Sequence, residues 1–384
     1  MTSGTRCPTK FMAKRKRSPL RIGTSSPAPL CAPEIQRTLA PKEEAVRLRR
    51  MSWKVLITAR AFSEVGQQAA ELFKSAGCEI VIPPKFGGLN AADLLPQLEG
   101  VDAVLCSPDA YTPAVLNSPP AARLKIISRW GVGYDSINVP ECTRLGIVVA
   151  YTPNLLNETV ADYTFALLLG IARRIHDGHA GMANGGWKIV WGRDVFGKTL
   201  GIVGCGRIGQ AVARRASGFN VRVLGYDVVA CPGAEKLGVK MVSLDELLGQ
   251  SDFVTLHAAL TPENRGLIGD KQLRLMKPTA YLINAGRGAL VDEAALAAAL
   301  QEGRIAGAAL DTFVQEPLPA NNPLRQAPNV LLTPHQASFA RETGERVTLT
   351  AAQAVVDLMN GRRPQLVVDP AVFASPALRA RCDN

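Results

Sequence analysis

The chain has 384 residues, 47% of them hydrophobic and 20% charged, and a formal net charge of +11. That length suits two domains better than one, and the mix is that of a globular protein with sizeable cores. No apolar run approaches the roughly 18 residues of a membrane helix, so no membrane association is expected; the longest, around Tyr163–Ala172, lies between Asp162 and Arg173-Arg174 and reads as a buried helix.

The charge is not spread over the fold. Residues 1–50 carry 12 of the 44 basic side chains and 3 of the 33 acidic ones, which leaves 32 against 30 in the remainder. A near-neutral globular part gives no footprint for nucleic acid. The arm itself has the composition of a disordered basic extension. Three readings compete for it: a true translation start at Met51, a transit peptide, or a nuclear or nucleic-acid-binding arm resting on Lys14-Arg15-Lys16-Arg17. The first, or an idle extension, is preferred, because four basic residues in a polar arm are a weak signal.

The eight cysteines, Cys7, Cys31, Cys78, Cys106, Cys142, Cys205, Cys231 and Cys382, form no CxxC pair, and no histidine stands beside them at metal-ligand spacing. A chain of this size buries its core without staples. Free thiols, a reducing cytoplasmic compartment and no metal are the expectation.

Ordered structure begins near residue 53. The pattern predicts strand Val55–Thr58, helix Val65–Ala76, strand Glu79–Ile82, helix Ala91–Leu98, and strands Ala103–Cys106 and Lys125–Ser128. Thr159–Arg174 is a long apolar helix placed to cross between domains. A second series predicts strands Leu200–Val203, Val221–Tyr226, Phe253–Leu256, Ala280–Asn284, Ala306–Leu310 and Val330–Thr333, with helices such as Ile208–Arg215 and Glu293–Glu302, the latter ended by Gly303. Continuous apolar strands alternating with helices indicate parallel sheets covered on both faces. The last helix, Glu342–Met359, is expected to pack back on the first series, making that domain discontinuous. The class is therefore α/β, with two doubly wound parallel-sheet domains, the second inserted in the first.

The second series opens with Gly204-Cys205-Gly206-Arg207-Ile208-Gly209 between a strand and a helix. The first glycine permits the tight turn, the second lets the backbone approach a pyrophosphate, and the third allows close helix–strand packing. The helix N-terminus adds N–H donors and positive dipole. The next strand ends at Asp227, 18 residues past Gly209. A carboxylate there accepts from ribose hydroxyls and repels a 2′-phosphate, which favours NAD over NADP. The competing explanation, a glycine turn with a surface Asp, does not account for that strand–helix context.

A bound nicotinamide needs a partner for the proton that accompanies hydride. Candidates stand after consecutive strand ends, where the ligand crevice of such sheets opens: Arg287 after Asn284, Glu316 after Asp311, and His335 after Thr333-Pro334. Each alone has a plain explanation as a turn or loop residue; the three together do not.

At this point the sequence resembles the D-isomer-specific 2-hydroxyacid dehydrogenases, including the phosphoglycerate dehydrogenases. The resemblance runs from about Lys54 to Arg363 and rests on Gly131-Val132-Gly133-Tyr134-Asp135, the glycine loop, Asn284–Asp292, Ala309–Pro317 and Thr333-Pro334-His335. It implies a flavodoxin-like substrate domain (51–152 and 336–364), an inserted Rossmann NAD-binding domain (153–335) and a tail (365–384). It also implies roles. His335 is the acid/base for the C2 oxygen, and Glu316 holds its other ring nitrogen and stabilises the charged ring. Arg287 clamps the substrate carboxylate and polarises the C2 oxygen, with backbone N–H groups of Val132 and Gly133 on the opposite side and Ser107 nearby. Arg207 and Ile208 meet the pyrophosphate, Ala285, Gly286, Arg287 and His335 border the cofactor, and Asp311 holds the nicotinamide carboxamide. His257 is read as structural, and His176 and His179 as surface residues on a helix. A homodimer formed through the inserted domain is implied, with Trp187–Trp191 in that arm.

The substrate end departs from the phosphoglycerate pattern. Those enzymes place arginines in the loop that here reads Cys106-Ser107-Pro108, and Leu156 replaces a second polar contact. A loop without Arg or Lys has no charge-assisted donors for phosphate, though Arg129 or a subunit partner is a possible substitute. Gln336-Ala337-Ser338 puts a polar side chain after His335. About 20 residues follow Arg363, too few for a regulatory domain. The main reading is hydride transfer between NAD(H) and C2 of a small 2-hydroxy/2-keto acid, phosphoglycerate dehydrogenase-like. The alternative is a glyoxylate/hydroxypyruvate reductase. A third reading, of another class, is an NAD(H)-sensing corepressor on the same fold. That would need a peptide-binding groove, for which the first domain carries no signature. Phosphite or formate oxidation is disfavoured because Gly131–Asp135 contains no lysine.

Overall fold

The computed structural model describes residues 52–85 and 87–382, so the basic extension lies outside the described residues. Near its start, Val55, Leu56 and Ile57 are buried in an apolar run that has no polar face, which suits a strand covered on both sides. This strand, β1 (Lys54–Ile57), pairs in parallel with β2 (Glu79–Val81) and β3 (Ala103–Cys106); β4 (Ile126–Arg129) and β5 (Val148–Ala150) complete a sheet of order β2-β1-β3-β4-β5. That is the flavodoxin order, whose crevice opens beyond β1 and β3.

The second sheet contains β6 (Thr199–Val203), β7 (Arg222–Tyr226), β8 (Lys240–Met241), β9 (Phe253–Leu256), β10 (Tyr281–Asn284), β11 (Gly307–Leu310) and β12 (Val330–Leu332), in the order β12-β11-β10-β9-β6-β7-β8. The strand order reverses between β6 and β9, so their ends frame the second crevice. The fold is thus two parallel-sheet α/β domains, as the pattern predicts.

Helix Asn157–Ala172 buries Val160, Phe165, Leu168 and Ile171 and packs on the helix Arg207–Ala216 and on β10, β11 and β12. Helix Arg341–Met359 packs on β3, β4 and the helix Gln67–Ser75. The chain therefore leaves the first lobe after β5 and returns to it after β12. Among the described residues, no helix is long and apolar enough to cross a membrane.

Several local differences have clear causes. The helix expected over Val65–Ala76 is broken into Phe62–Val65 and Gln67–Ser75 at Gly66, where a Cβ would meet the Phe62 carbonyl oxygen at 2.3 Å. The helix expected over Ala91–Leu98 turns from α to 3-10 geometry at Leu95, where Pro96 withholds a backbone N–H. Strands β5 and β8 were not anticipated, because runs of three and two residues carry no periodicity of their own. Gly303 does end its helix in the left-handed region, at φ +67°. Residues 365–382, expected as a tail, pack on the first lobe instead. Val368 N–H donates to Val149 O at 2.9 Å, and the Arg379 guanidinium donates to the carbonyls of Ala121, Leu124 and Leu145.

Candidate active site

The glycine loop has the geometry its spacing predicts. Gly204 sits at φ +92°, and a Cβ there would lie 2.3 Å from the Ala258 nitrogen, so the turn at the end of β6 admits no side chain. A Cβ on Gly209 would lie 2.1 Å from Gly204 O, which fixes the close approach of helix and strand. Gly206 is different: a Cβ there meets nothing within 4 Å, so open space faces the loop. No side chain caps the helix Arg207–Ala216, whose first N–H groups remain available to an anion. Asp227 Oδ2 accepts from Cys205 N–H at 2.7 Å and Oδ1 from Val229 N–H at 3.3 Å. The carboxylate at the end of β7 therefore also braces the loop. These features fit a dinucleotide pyrophosphate with its ribose beside Asp227.

Arg207 and Ile208 line one wall of a cavity of about 570 Å³ between the two lobes, together with His257, Ala285, Gly286, Arg287 and His335. Ser107, Val132 and Gly133 line it from the first lobe. That volume lies within the range of small-molecule sites. Among the described residues, no group of three or more His, Cys, Asp or Glu side chains could hold a metal ion.

His335 Nδ1 lies 2.7 Å from Glu316 Oε2, which leaves Nε2 as the ring nitrogen free for the cavity. Glu316 Oε1 accepts from Phe313 N–H at 3.0 Å. Burial alone would raise the Glu316 carboxyl, but the hydrogen bond and charge of His335 hold it below its ordinary value. His335 occupies the left-handed region, at φ +51°, a conformation that costs a non-glycine residue roughly 1 kcal/mol or more. Asp311 supports it: its carboxylate accepts from Thr333 Oγ1 at 2.6 Å, Gln336 N–H at 3.0 Å and Ala337 N–H at 2.8 Å. Asp311 is fully buried and is not among the cavity-lining residues. These bonds seat it beneath the turn that carries His335.

Arg287 follows β10. Asn284, buried at the strand end, accepts from Gly286 N–H and donates to Arg287 O, which fixes the turn. The guanidinium does not stand free as a fork. Its Nε donates to Asp135 Oδ1 at 2.9 Å and its Nη1 to Gly286 O at 3.0 Å. The opposing Gly131–Gly133 turn has Gly131 at φ +129° and is held by Thr152, whose hydroxyl accepts from Gly131 N–H at 2.9 Å. Buried Arg129 braces it from behind, with Nε 2.8 Å from Gly133 O and a further bond to Trp130 O.

The sequence reading missed two contributors. Arg60, two positions past the first strand predicted to line a crevice, reaches across the lobes to His335 O at 3.4 Å and lines the cavity. Its own N–H donates to Ser107 Oγ at 3.1 Å, so Ser107 lines the cavity with its hydroxyl already engaged. Asp135 was quoted within a motif but given no role. The strand-end rule applied to β1 would have found Arg60; the Asp135–Arg287 pairing depends on tertiary structure alone. His257 lines the cavity: Nε2 is 2.9 Å from Thr255 Oγ1, Nδ1 is buried without a hydrogen-bond partner among the described residues, and burial holds the ring down at about 4, so it is neutral near pH 7. His176 and His179 lie on the helix Ile175–Ala183, with no buried residue in it.

Residues 165–337 match the family described as D-isomer specific 2-hydroxyacid dehydrogenase, NAD binding domain, which identifies NAD as the cofactor. Over 259 residues the chain is 48% identical to a glyoxylate reductase of Korarchaeum cryptofilum, covering 66% of this chain and 78% of that one. Over 311 residues it is 41% identical to a glyoxylate reductase of Thermofilum pendens, covering 77% and 90%. Among solved structures, an NADPH-dependent glyoxylate/hydroxypyruvate reductase of Sinorhizobium meliloti superposes with a TM-score of 0.72 at 28% identity, covering 86% of this chain and 99% of that one.

Proposed function

Because the chain belongs to the D-isomer-specific 2-hydroxyacid dehydrogenase family and is an oxidoreductase of that kind, we propose that it is a glyoxylate/hydroxypyruvate reductase. This replaces the phosphoglycerate dehydrogenase-like reading. Relatives named glyoxylate reductase, at 41% to 48% identity, favour the alternative, and the loop Cys106–Pro108 offers no cation for a phosphate.

The observation that carries the chemistry is the His335–Glu316 pair at 2.7 Å, with His335 lining the same cavity as Arg287. When bound, NADH supplies the hydride. Gly204, Gly206 and Gly209 with Arg207 and Ile208 would hold its pyrophosphate, and Asp227 its adenosine ribose. Ala285 and Gly286 border it. His335 Nε2 gives its proton to the keto oxygen, and Glu316 orients the ring through Nδ1 and stabilises its charged form. Arg287 clamps the carboxylate and polarises the C2 oxygen, and the Val132-Gly133 backbone faces the same carboxylate from the first lobe. Asp311 acts through the turn that carries His335.

We further infer a homodimer formed through the second lobe. Trp187, Ile189, Trp191 and Phe196 are between 71% and 88% exposed, an apolar cluster of the kind that marks a protein interface. Sedimentation at micromolar concentration should give twice the chain mass; a monomer would remove this part of the reading.

The deciding experiment is a keto-acid panel followed by NADH absorbance: glyoxylate, hydroxypyruvate, phosphohydroxypyruvate, pyruvate and a bulkier acid. Glyoxylate and hydroxypyruvate should have the highest kcat/KM. A preference of tenfold or more for phosphohydroxypyruvate would restore the phosphoglycerate reading instead.

A further inference from the structure

Asp135 and Arg287 form an ion pair that crosses between the lobes beside the acid/base pair. Asp135 follows the Gly131–Gly133 turn of the first lobe, and Arg287 follows β10 of the second. The guanidinium is held on two sides, by Asp135 at Nε and by Gly286 O at Nη1. Its Nη2 lies against Gly133, where a Cβ would come within 1.3 Å, so the absence of a side chain at 133 is what lets the guanidinium enter. An arginine carries five N–H donors in a rigid fork. Fixing Nε and one Nη1 donor leaves the Nη edge for a planar anion.

A second guanidinium stands behind this one. Arg129 is buried and forms its hydrogen bonds to the carbonyls of Gly133 and Trp130, not to a carboxylate. Burial, and then the charge of Arg287, hold the Arg129 pKa down, while Asp135 acts in the opposite sense. For Asp135 itself burial would raise the carboxyl, but Arg287, and more weakly Arg129, keep it below the ordinary value. Two like charges in one partly desolvated site repel strongly, and Asp135 is the carboxylate that faces both. Asp109 also faces Arg129, but of the two carboxylates Asp135 is the one that meets Arg287 as well.

We propose that Asp135 is the positioning residue for Arg287. It fixes the guanidinium through Nε from the opposite lobe and, together with Asp109, offsets Arg129, so that the clamp is set for a 2-keto acid bearing one carboxylate. This rests on the reading of Arg287 as the carboxylate clamp. It is a role in aiming a donor: Asp135 lines the same cavity and spends Oδ1 on Arg287 Nε.

The test uses oxamate, an unreactive monocarboxylate analogue, titrated into the enzyme–NADH complex and read by NADH fluorescence. Asp135→Ala should weaken oxamate binding by about tenfold or more, as loss of a charge-assisted hydrogen bond does, and raise KM for glyoxylate in parallel while kcat falls less. NADH affinity should stay within about twofold. Asp135→Asn keeps an acceptor for Nε but removes the charge. It should recover most of the oxamate affinity and shift preference toward the dianion oxalate. Oxamate binding by Asp135→Ala within twofold of wild type would overturn the proposal, as would an Asp135→Asn variant no better than Asp135→Ala. If Asp135→Ala loses NADH binding and so its fold, Asp135→Asn decides alone: an unchanged oxalate-to-oxamate preference overturns the proposal. Arg287→Ala separates the two levels. Intact oxamate binding there removes the clamp reading itself, whereas loss there with intact binding in Asp135→Ala removes only the role of Asp135.

Discussion

The cofactor half and the substrate half of the cavity are built from different materials. Around the glycine loop, the shape is made by backbone: Gly204 and Gly209 admit no Cβ, Gly206 faces open space, and an uncapped helix presents N–H groups. Around Arg287 and His335, the shape is made by charged side chains held from the opposite lobe, Asp135 on Arg287 and Arg60 on His335 O. In the proposed function, backbone features would bind the part of the ligand that never changes, and side-chain pairs, which depend on how the lobes meet, would carry the chemistry and the choice of acid. The two halves should therefore fail independently.

The largest expected effect sharpens that division. His335→Ala should lower kcat by about three orders of magnitude, within the range for loss of a general acid, while NADH affinity by fluorescence stays within about threefold. Glu316→Gln should cost less, on the order of tenfold to a hundredfold, because Nε2 keeps its proton and loses only the ionic partner at Nδ1. The Glu316 carboxyl is held below its ordinary value, so it is ionised at neutral pH and its contribution is lost as pH falls through that lowered value. In the wild type, any fall of kcat caused by Glu316 should accordingly come below pH 4.5, the ordinary carboxylate value, and Glu316→Gln should abolish it. Near-normal turnover in either variant would mean that another group transfers the proton.

The same division explains what could be read from the sequence. Backbone constraints leave glycines at fixed spacing, and the loop at Gly204–Gly209 was legible down to the role of each glycine. Strand ends gave Arg287, Glu316 and His335, and six of the seven strands of the second sheet follow from apolar runs long enough to notice. What was not legible depends on contacts between distant segments. The resemblance assigns Asp311 to the nicotinamide carboxamide, but its hold on the His335 turn, through bonds from Thr333, Gln336 and Ala337, depends on tertiary structure. Arg129 was noticed as a spare cation, but nothing in its neighbours foretells that it braces Gly133 O. The strap at residues 365–382 is not legible because its anchors are backbone carbonyls more than 200 positions earlier in the chain, from Ala121 to Val149.

Asp227 offers a test of intermediate size on the cofactor side. Its carboxylate braces the loop through Cys205 N–H, and in the proposed function it would meet the adenosine ribose and repel a 2′-phosphate. Asp227→Asn keeps an acceptor for the brace and removes the repelling charge. It should shift the NADH-to-NADPH ratio of kcat/KM toward NADPH by about tenfold, the size of one lost charge interaction near a surface. Asp227→Ala, which removes the brace too, should also weaken NADH binding. In both variants the rank order of keto acids should be unchanged. A reordered panel would mean that the two halves of the cavity are coupled after all.

His257 lies at the seam, lining the cavity between the loop ends of β6 and β9, and carries the smallest expected effect. Its ring is neutral near pH 7 because burial holds the pKa down at about 4 from its ordinary value of 6.5. In the unfolded chain the ring takes up a proton as pH falls through its ordinary value; in the folded chain it does so only near 4. Between these values the unfolded state binds more protons, so stability falls as pH drops from 6.5 toward 4 and levels off below. Above pH 6.5 the group contributes no slope. His257→Asn, which retains a partner for Thr255 Oγ1, should flatten the melting temperature between pH 6.5 and 4 and leave kcat near neutral pH within about twofold, because a ring held neutral at that pH contributes no change of charge to the reaction. An unchanged slope would place the acid sensitivity elsewhere. A large loss of kcat near neutral pH would instead join His257 to the chemistry and move the seam between binding and catalysis to β9.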